Sequence, residues 1–215
     1  MKFYYAETSP PCRTIILLAD LINIKLELIP TSPKKGETKT PAFLKMNPQH
    51  VVPTLVDDDG FVIWESRVIA KYLIAKYGQN DDLYPSDFYK RLDVDKILDF
   101  DLGTFFRRST DYLIPALMTG KFDPSKKPKL DDAFSVFNTI LERNKSGYAA
   151  ADQLTIADIS LLTIISSLEI IDYDLKQFPY VYEWLLKIKK EIPSYNTTGV
   201  KGEEAFKNMI NSSLK

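Results

Sequence analysis

The chain has 215 residues, a formal net charge of −1 and 45% hydrophobic residues; that length buries a full core without crosslinks and holds two ordinary domains, and the charge balance lacks the basic footprint of a nucleic-acid binder. One cysteine and one histidine exclude an intrachain disulfide, a CxxC redox pair and a cysteine-rich zinc site and argue against a histidine-based metal site. No segment approaches the roughly 20 apolar residues of a membrane span, and the opening run Met1–Ala6 is too short for a signal peptide, so a soluble cytosolic chain is expected.

The first 78 residues alternate short strand-like and helix-like patterns. Lys2–Ala6 reads as a strand. Ser9-Pro10-Pro11-Cys12-Arg13 then opens a helix over 11–22 with Ile15, Leu18, Ala19 and Ile22 on its apolar face; serine is a favoured N-cap and proline a favoured first helical residue. Lys25–Ile29 alternates like a strand, which makes βαβ and favours a parallel pair. A polar loop covers Pro30–Thr40, and Pro41–Lys45 suggests a short helical turn. Thr54–Asp57 and Phe61–Trp64 flank Asp58-Asp59-Gly60, a hairpin signal. Glu65-Ser66 opens a helix with Val68, Ile69, Tyr72, Leu73 and Tyr77 on its apolar face. The order βαβαββα is that of a thioredoxin-like domain.

Residues 79–87 are rich in turn formers and read as a linker; 88–215 then read as an all-helical domain. A helix is expected from Phe88 to about Met118, bent near Gly103 or ending before Pro115. Others are expected over 125–144, from Thr155 to about Ile170, over 179–192 and over 202–213. Thr155-Ile156-Ala157-Asp158 has capping-box spacing, with aspartate where Glu or Gln is more usual. The fold class is therefore α/β followed by all-α.

Three segments of the first domain carry chemistry. The helix start at Ser9 offers amides and the positive end of a helix dipole to an anion: carboxylate, phosphate or thiolate. Val52-Pro53 lies where a loop enters a strand; a trans turn and a cis bond are both open, and a cis bond would present the Val52 backbone to an extended peptide-like ligand. Glu65-Ser66-Arg67 is a second helix start. It reads either as a plain N-cap or as a clamp for an amino-acid head group, with Ser66 and a first-turn amide on the carboxylate and Glu65 on the ammonium. His50 is a structural histidine or a ligand contact.

Together with Asn47-Pro48-Gln49-His50-Val51-Val52-Pro53-Thr54-Leu55, Trp64-Glu65-Ser66-Arg67, Leu83-Tyr84-Pro85 and Leu154-Thr155-Ile156-Ala157-Asp158, the Ser9–Arg13 segment resembles the cytosolic glutathione S-transferases of the insect delta/epsilon type, in order over essentially the whole chain. Cys12-Arg13 and Glu65-Ser66-Arg67 resemble the delta class more. The resemblance implies a detoxifying transferase that joins the glutathione thiolate to hydrophobic electrophiles, with peroxidase activity as a side reaction. It implies Ser9 as hydrogen-bond donor to the thiolate; His50, Val51, Val52, Pro53, Glu65, Ser66 and Arg67 as the glutathione site; glutathione as co-substrate without a metal; and a homodimer. Relatives usually carry Gly-Glu-His-Leu where this chain has Gly36-Glu37-Thr38-Lys39; if that histidine touches the glycyl carboxylate, either Lys35 or Lys39 substitutes as a point charge or glutathione affinity is lower. Phe106, Thr110, Leu113 and Phe206 are expected to line the electrophile pocket between the domains, and Arg107-Arg108 a solvated face. Two other readings stand beside this one: a non-catalytic ligand-binding or structural protein of the same fold, and a glutaredoxin-like reductase using Cys12, since Ser9-x-x-Cys12 has CxxC spacing.

Overall fold

The computed structural model describes residues 1–214. Strands β1 (Lys2–Tyr5), β2 (Glu27–Pro30), β3 (Thr54–Val56) and β4 (Val62–Trp64) form one sheet in the order β2-β1-β3-β4. Helix α1 (Pro10–Leu21) is the crossover that makes β1 and β2 parallel, while β1–β3 and β3–β4 are antiparallel. With α2 (Pro41–Met46) and α3 (Ser66–Tyr77) the expected βαβαββα order is present. The second strand starts later than its alternation suggests. Asn23 takes a φ of 57 and the Ile24 amide donates to the Ala19 carbonyl (2.8 Å), so these residues finish the turn of α1, and pairing opposite Lys2 begins at Glu27.

The hairpin turn lies where Asp58-Asp59-Gly60 places it. The Asp57 amide donates to Phe61 O (2.9 Å), the Gly60 amide to Asp57 O (3.0 Å), and Gly60 has a φ of 85, a conformation glycine adopts without steric cost. The buried Asp57 carboxylate fastens the hairpin to α3 by accepting bonds from the Tyr72 hydroxyl (2.5 Å), the Tyr77 hydroxyl (2.6 Å) and Lys76 Nζ (2.7 Å).

Beyond the linker the chain is helical: α4 (Phe88–Phe100), α5 (Arg107–Thr119), α6 (Lys127–Asn144), α7 (Ile156–Glu169), α8 (Pro179–Glu191) and α9 (Thr198–Ser213). The stop expected before Pro115 does not occur. The residues Asp101–Phe106 between α4 and α5 are a π-helical turn that includes Gly103, and Pro115 lies within α5. Proline there removes the bond to the Asp111 carbonyl, and Asp111 is an exposed residue. Helix α9 begins at Thr198, one turn before the expected Gly202.

Helix α7 is the axis of the second domain, buried from Ile156 through Leu168. Its start is capped as the spacing predicts: Asp158 Oδ2 accepts the Thr155 amide (3.0 Å), while Oδ1 accepts the Ala149 amide (2.7 Å) and Trp184 Nε1 (2.9 Å). In the same core Phe105, Phe134, Phe137 and Trp184 pack on one another at edge-to-face angles, each such pair adding about 0.5–1.5 kcal/mol beyond its buried area.

The two halves meet where α1 lies on α7, and the contact includes polar groups. Arg13 Nη2 donates to Thr163 O (2.6 Å) and to Ser167 Oγ, its Nη1 stands 3.7 Å from Glu203, and the Thr14 and Thr163 hydroxyls are 2.8 Å apart. Arg13, which marks the delta-like motif, is thus a strut between the halves. Among the described residues no helix is long and apolar enough to cross a membrane, and no cluster of three potential metal ligands occurs.

Candidate functional site

Sheet register brings three of the chemistry-bearing segments to one edge. Tyr4 pairs with Thr54, and Thr54 with Trp64. The chain leaves β1 just after Tyr4 toward Ser9, enters β3 at Thr54 from Val52-Pro53, and leaves β4 at Trp64 into Glu65-Ser66. Antiparallel pairing of β3 with both neighbours therefore gathers segments some 40 and 55 residues downstream of Ser9 at the same end of the sheet.

Ser9 caps α1, but not through its side chain. The residue is extended (φ −83, ψ 116) and its hydroxyl makes no capping bond. Its carbonyl instead accepts the amides of Cys12 (3.1 Å) and Arg13 (3.0 Å), and its own amide donates to Ala6 O (3.0 Å). Pro10 and Pro11 have no N–H. The free amides expected here are absent, because tandem prolines and two short bonds use up the first turn. The site keeps the positive end of the helix dipole and a half-buried hydroxyl free of capping duty.

The start of α3 is the opposite case. The amides of Ser66, Arg67 and Val68 have no acceptor among the described residues, the first helical bond running from the Ile69 amide to Glu65 O (2.8 Å). Ser66 is buried, and Glu65 before it has a φ of 69 and a ψ of 107, a conformation that costs a non-glycine residue of order 1–3 kcal/mol and is held only where its surroundings enforce it. Part of that hold is visible. Gln49 Nε2 donates to Glu65 Oε1 (2.9 Å), tying the loop before β3 to the start of α3.

That loop is built on the buried Asn47, whose Nδ2 donates to Val51 O (3.2 Å) and Thr54 Oγ1 (2.8 Å) and whose Oδ1 accepts the Gln49 amide (2.9 Å). The Val52–Pro53 bond is cis, and the Val52 N–H and C=O have no hydrogen-bond partner among the described residues. His50 is exposed, with a φ of 48. Thr38 is buried, and Lys35 and Lys39 are exposed.

Arg67 joins this edge to the helical domain. Its Nη2 and Nε donate to Asp101 Oδ2 (2.5 and 3.1 Å), its Nη1 to Ser66 Oγ (3.3 Å), and its guanidinium lies over the Phe106 ring, 5.6 Å from the centroid. Asp101 sits in the π-helical turn with no exposure. Its Oδ2 also accepts the Ser160 hydroxyl of α7 (2.6 Å), and its Oδ1 has no partner. Burial pushes the Asp101 carboxyl above the ordinary range, against the Arg67 charge and the Ser160 hydrogen bond.

The residues expected at the electrophile pocket divide. Phe106 is half-buried against Arg67, and Thr110 is half-buried with its hydroxyl donating to Arg107 O (2.8 Å). Leu113 and Phe206 are each 4% exposed and belong to the core. One helical turn on from Thr110, and then another, Ile114 and Met118 are 51% and 79% exposed; four-residue spacing sets Thr110, Ile114 and Met118 on one stripe of α5. Arg108 is engaged on the surface with Asp132 (2.5 Å) and Lys129 O (3.0 Å).

Cys12 does not fit the reductase reading. It has no solvent exposure, and burial outweighs the opposing effect of its polar neighbours and the Arg13 charge and pushes its thiol up to about 11, so at neutral pH it is a protonated, enclosed group rather than a nucleophile. Asp101 and Ser160 have no part in the sequence expectations, and Asn47 and Gln49 enter them only as members of the 47–53 segment. The one signal for Asp101 is a lone carboxylate within Phe100–Phe106, an aromatic-flanked helical run.

The chain is similar to known proteins in both halves. Residues 3–81 match the family described as glutathione S-transferase, N-terminal domain, and residues 109–190 the glutathione S-transferase C-terminal domain. Glutathione S-transferase D7 of Anopheles gambiae is 42% identical over 99% of this chain and 97% of its own. A solved delta-class glutathione transferase of Nilaparvata lugens superposes with a TM-score of 0.93 at 39% identity, covering 99% of both chains. An epsilon-class enzyme of the housefly, Musca domestica, gives 0.91 at 31%, over 100% of this chain and 99% of its own. With both halves matched and a relative this similar along its whole length, the chain belongs to the glutathione S-transferase family.

Proposed function

We propose that the chain conjugates the thiolate of glutathione to hydrophobic electrophilic small molecules, with Ser9 as the catalytic donor to the sulfur. The observation that carries this reading is the state of Ser9: a hydroxyl free of capping duty, at a helix start whose amides are consumed, on the sheet edge shared with Val52 and with Glu65-Ser66. A site with no free amide is a poor seat for a carboxylate or phosphate, which needs several donors. A thiolate needs one donor and a favourable field, and both lower its pKa. The unpartnered Val52 backbone suits the cysteinyl peptide unit. The open amides and hydroxyl of Ser66 suit the γ-glutamyl carboxylate, and Glu65 its ammonium. His50 with Lys35 or Lys39 is left for the glycyl end. With a chloroaromatic, the thiolate forms the carbon–sulfur bond and the carbon–chlorine bond breaks to release chloride; rate is gained from ionisation of the thiol and from holding both reactants side by side.

The electrophile wall in this reading is Phe106, Thr110, Ile114 and Met118, with Leu113 and Phe206 behind it as packing. The higher identity to the delta-class structure than to the epsilon-class one supports the delta class. Phe61, Val68, Leu92 and Leu102, exposed by 46–51%, suit a face covered by a second copy of the chain, and the cytoplasm is the compartment where such an enzyme meets reduced glutathione.

Retention on immobilised glutathione together with conjugation of 1-chloro-2,4-dinitrobenzene tests the activity. A protein that does neither is the non-catalytic member of the family that the sequence also allows. Light scattering showing twice the chain mass supports the homodimer, and a monomer at assay concentration removes it.

A further inference from the structure

A serine or threonine precedes proline at Ser9-Pro10, Ser32-Pro33 and Thr40-Pro41, and only at Ser32 do lysines follow at once, in the run Ser32-Pro33-Lys34-Lys35. The run lies in the surface loop between β2 and α2. Pro33, Lys34 and Lys35 are exposed and Ser32 is half-buried. A proline-directed kinase favours such a run, because proline has no N–H to leave unpaired in the pocket beside the acceptor hydroxyl and the basic side chains beyond it meet an anionic group of the kinase.

The local structure leaves the hydroxyl within reach. Ser32 is extended, with a φ of −102 and a ψ of 106, as an acceptor residue must be in a kinase cleft. The hydrogen bond recorded for its Oγ is a long one, accepted from the Lys35 amide at 3.3 Å. The bonds that close the turn also stay inside the loop: the Gly36 amide donates to Pro33 O (3.0 Å), the Glu37 amide to Ser32 O (3.2 Å), and the Ser32 amide to Glu37 Oε2 (2.6 Å). No residue of Pro33–Lys35 is buried, so the turn can open for an enzyme without disturbing the core.

We propose that Ser32 is a phosphorylation site for a proline-directed kinase, and that its phosphate weakens the binding of glutathione at the glycyl end. The kinase takes the Ser32 hydroxyl proton, Oγ bonds to the γ-phosphorus of ATP, and the bond from that phosphorus to the bridging oxygen breaks to release ADP. The effect on glutathione rests on the reading of Lys35 or Lys39 as partner of the glycyl carboxylate. The phosphate brings a charge of about −1.5 to −2 at pH 7 onto the loop that carries both lysines, where it draws their ammonium groups and repels the carboxylate they would hold. It also repels the Glu37 carboxylate that accepts the Ser32 amide, loosening the tie that closes the loop.

The full chain is incubated with a cyclin-dependent kinase and MgATP, and phosphate is located by mass spectrometry. Conjugation of 1-chloro-2,4-dinitrobenzene is then measured against glutathione and against glutathione monoethyl ester, whose glycyl end is uncharged. The expected result is a single phosphate, on Ser32, a KM for glutathione raised about three- to five-fold, the scale of one exposed charge pair, and an unchanged KM for the ester. Lys35→Ala slows phosphorylation, and Ser32→Ala takes no phosphate and has the same KM with and without kinase treatment. A native chain that takes no phosphate, or takes it on Ser9 or Thr40 instead, would overturn the site. Phosphate on Ser32 with an unchanged KM for glutathione, or with both thiols affected equally, would overturn its action at the glycyl end. An untreated chain that conjugates neither thiol removes the transferase reading and the effect on glutathione with it, while the phosphate on Ser32 is read independently by mass.

Discussion

Asp101→Asn separates the account of the site from a purely structural one. In the wild type three donors converge on Asp101 Oδ2, two from Arg67 at 2.5 and 3.1 Å and one from Ser160 at 2.6 Å, on a carboxylate with no exposure; the Arg67 side chain is 12% exposed. The asparagine keeps the shape and one acceptor oxygen but strands the Arg67 charge in a nearly dry place. Removing one partner of such a pair costs about 3–5 kcal/mol of stability, read as a lower urea midpoint with an unchanged slope. Arg67 also touches Ser66 Oγ and stacks on Phe106, so its displacement disturbs both the glutathione clamp and the electrophile wall. The KM for glutathione is expected to rise about ten-fold, equivalent to about 1.4 kcal/mol of lost binding, with a smaller change in kcat because Ser9 is untouched. Ser160→Ala removes one donor of three and is expected to cost about 1–2 kcal/mol with a KM change in the same direction. Steady-state kinetics at varied glutathione, beside urea unfolding, give both numbers. An Asp101→Asn enzyme with wild-type midpoint and wild-type KM would refute the role given to this pair, and lost stability with an unchanged KM would confine it to holding the domains together.

Other consequences are open to test. Burial alone would raise the Asp57 carboxyl, but hydrogen bonds from Lys76, Tyr72 and Tyr77 outweigh it and hold the pKa below the ordinary range. A depressed folded-state pKa gives stability that is present above the unfolded value of about 3.9 and lost as pH falls below it. Asp57→Asn is therefore expected to lower stability by about 2–3 kcal/mol at pH 7, with the gap to wild type closing in unfolding curves taken below about pH 4; a gap that does not depend on pH counts against the assignment. Cys12 in the folded protein is expected to resist iodoacetamide at pH 7.5 and to react only on unfolding, so rapid native labelling with loss of activity would restore the reductase reading. Met118→Ala and Ile114→Ala are expected to change kcat/KM between a small and a bulky electrophile by several-fold each, a methylene in a pocket being worth about 1–3 kcal/mol, while Leu113→Ala chiefly lowers stability. Equal effects on every electrophile would remove Ile114 and Met118 from the wall.

Local chemistry made much of this legible in the sequence. The hairpin follows from Asp58-Asp59-Gly60, whose glycine takes the positive φ the turn needs, and the start of α7 from a capping spacing that the Asp158 carboxylate fulfils. Those signals lie within a few residues of what they specify. Where neighbours far along the chain decide the outcome, the residues alone mislead or stay silent. Gly103 and Pro115 look like breakers, yet one falls in a π-helical turn and the other lies within α5. Asp101 has no local sign of its partners, which come from α3 and α7. Leu113 and Ile114 are both apolar and adjacent, and only the direction of the core decides which is packed and which is exposed. The same limit applied to Ser9: the sequence shows a helix start, while the use made of each amide emerges only when Ser9 O is seen to take two of them.

The role of Ser9 is tested most directly by ultraviolet titration of the thiol of enzyme-bound glutathione in wild type and in Ser9→Ala. Wild type is expected to ionise the thiol well below its free value of about 8.5, and Ser9→Ala to return the pKa toward that value and slow conjugation about 10- to 100-fold, the worth of a hydrogen bond to a charged group, with little change in glutathione affinity. A bound thiol whose pKa equals that of free glutathione, or one equally depressed in both proteins, would contradict it.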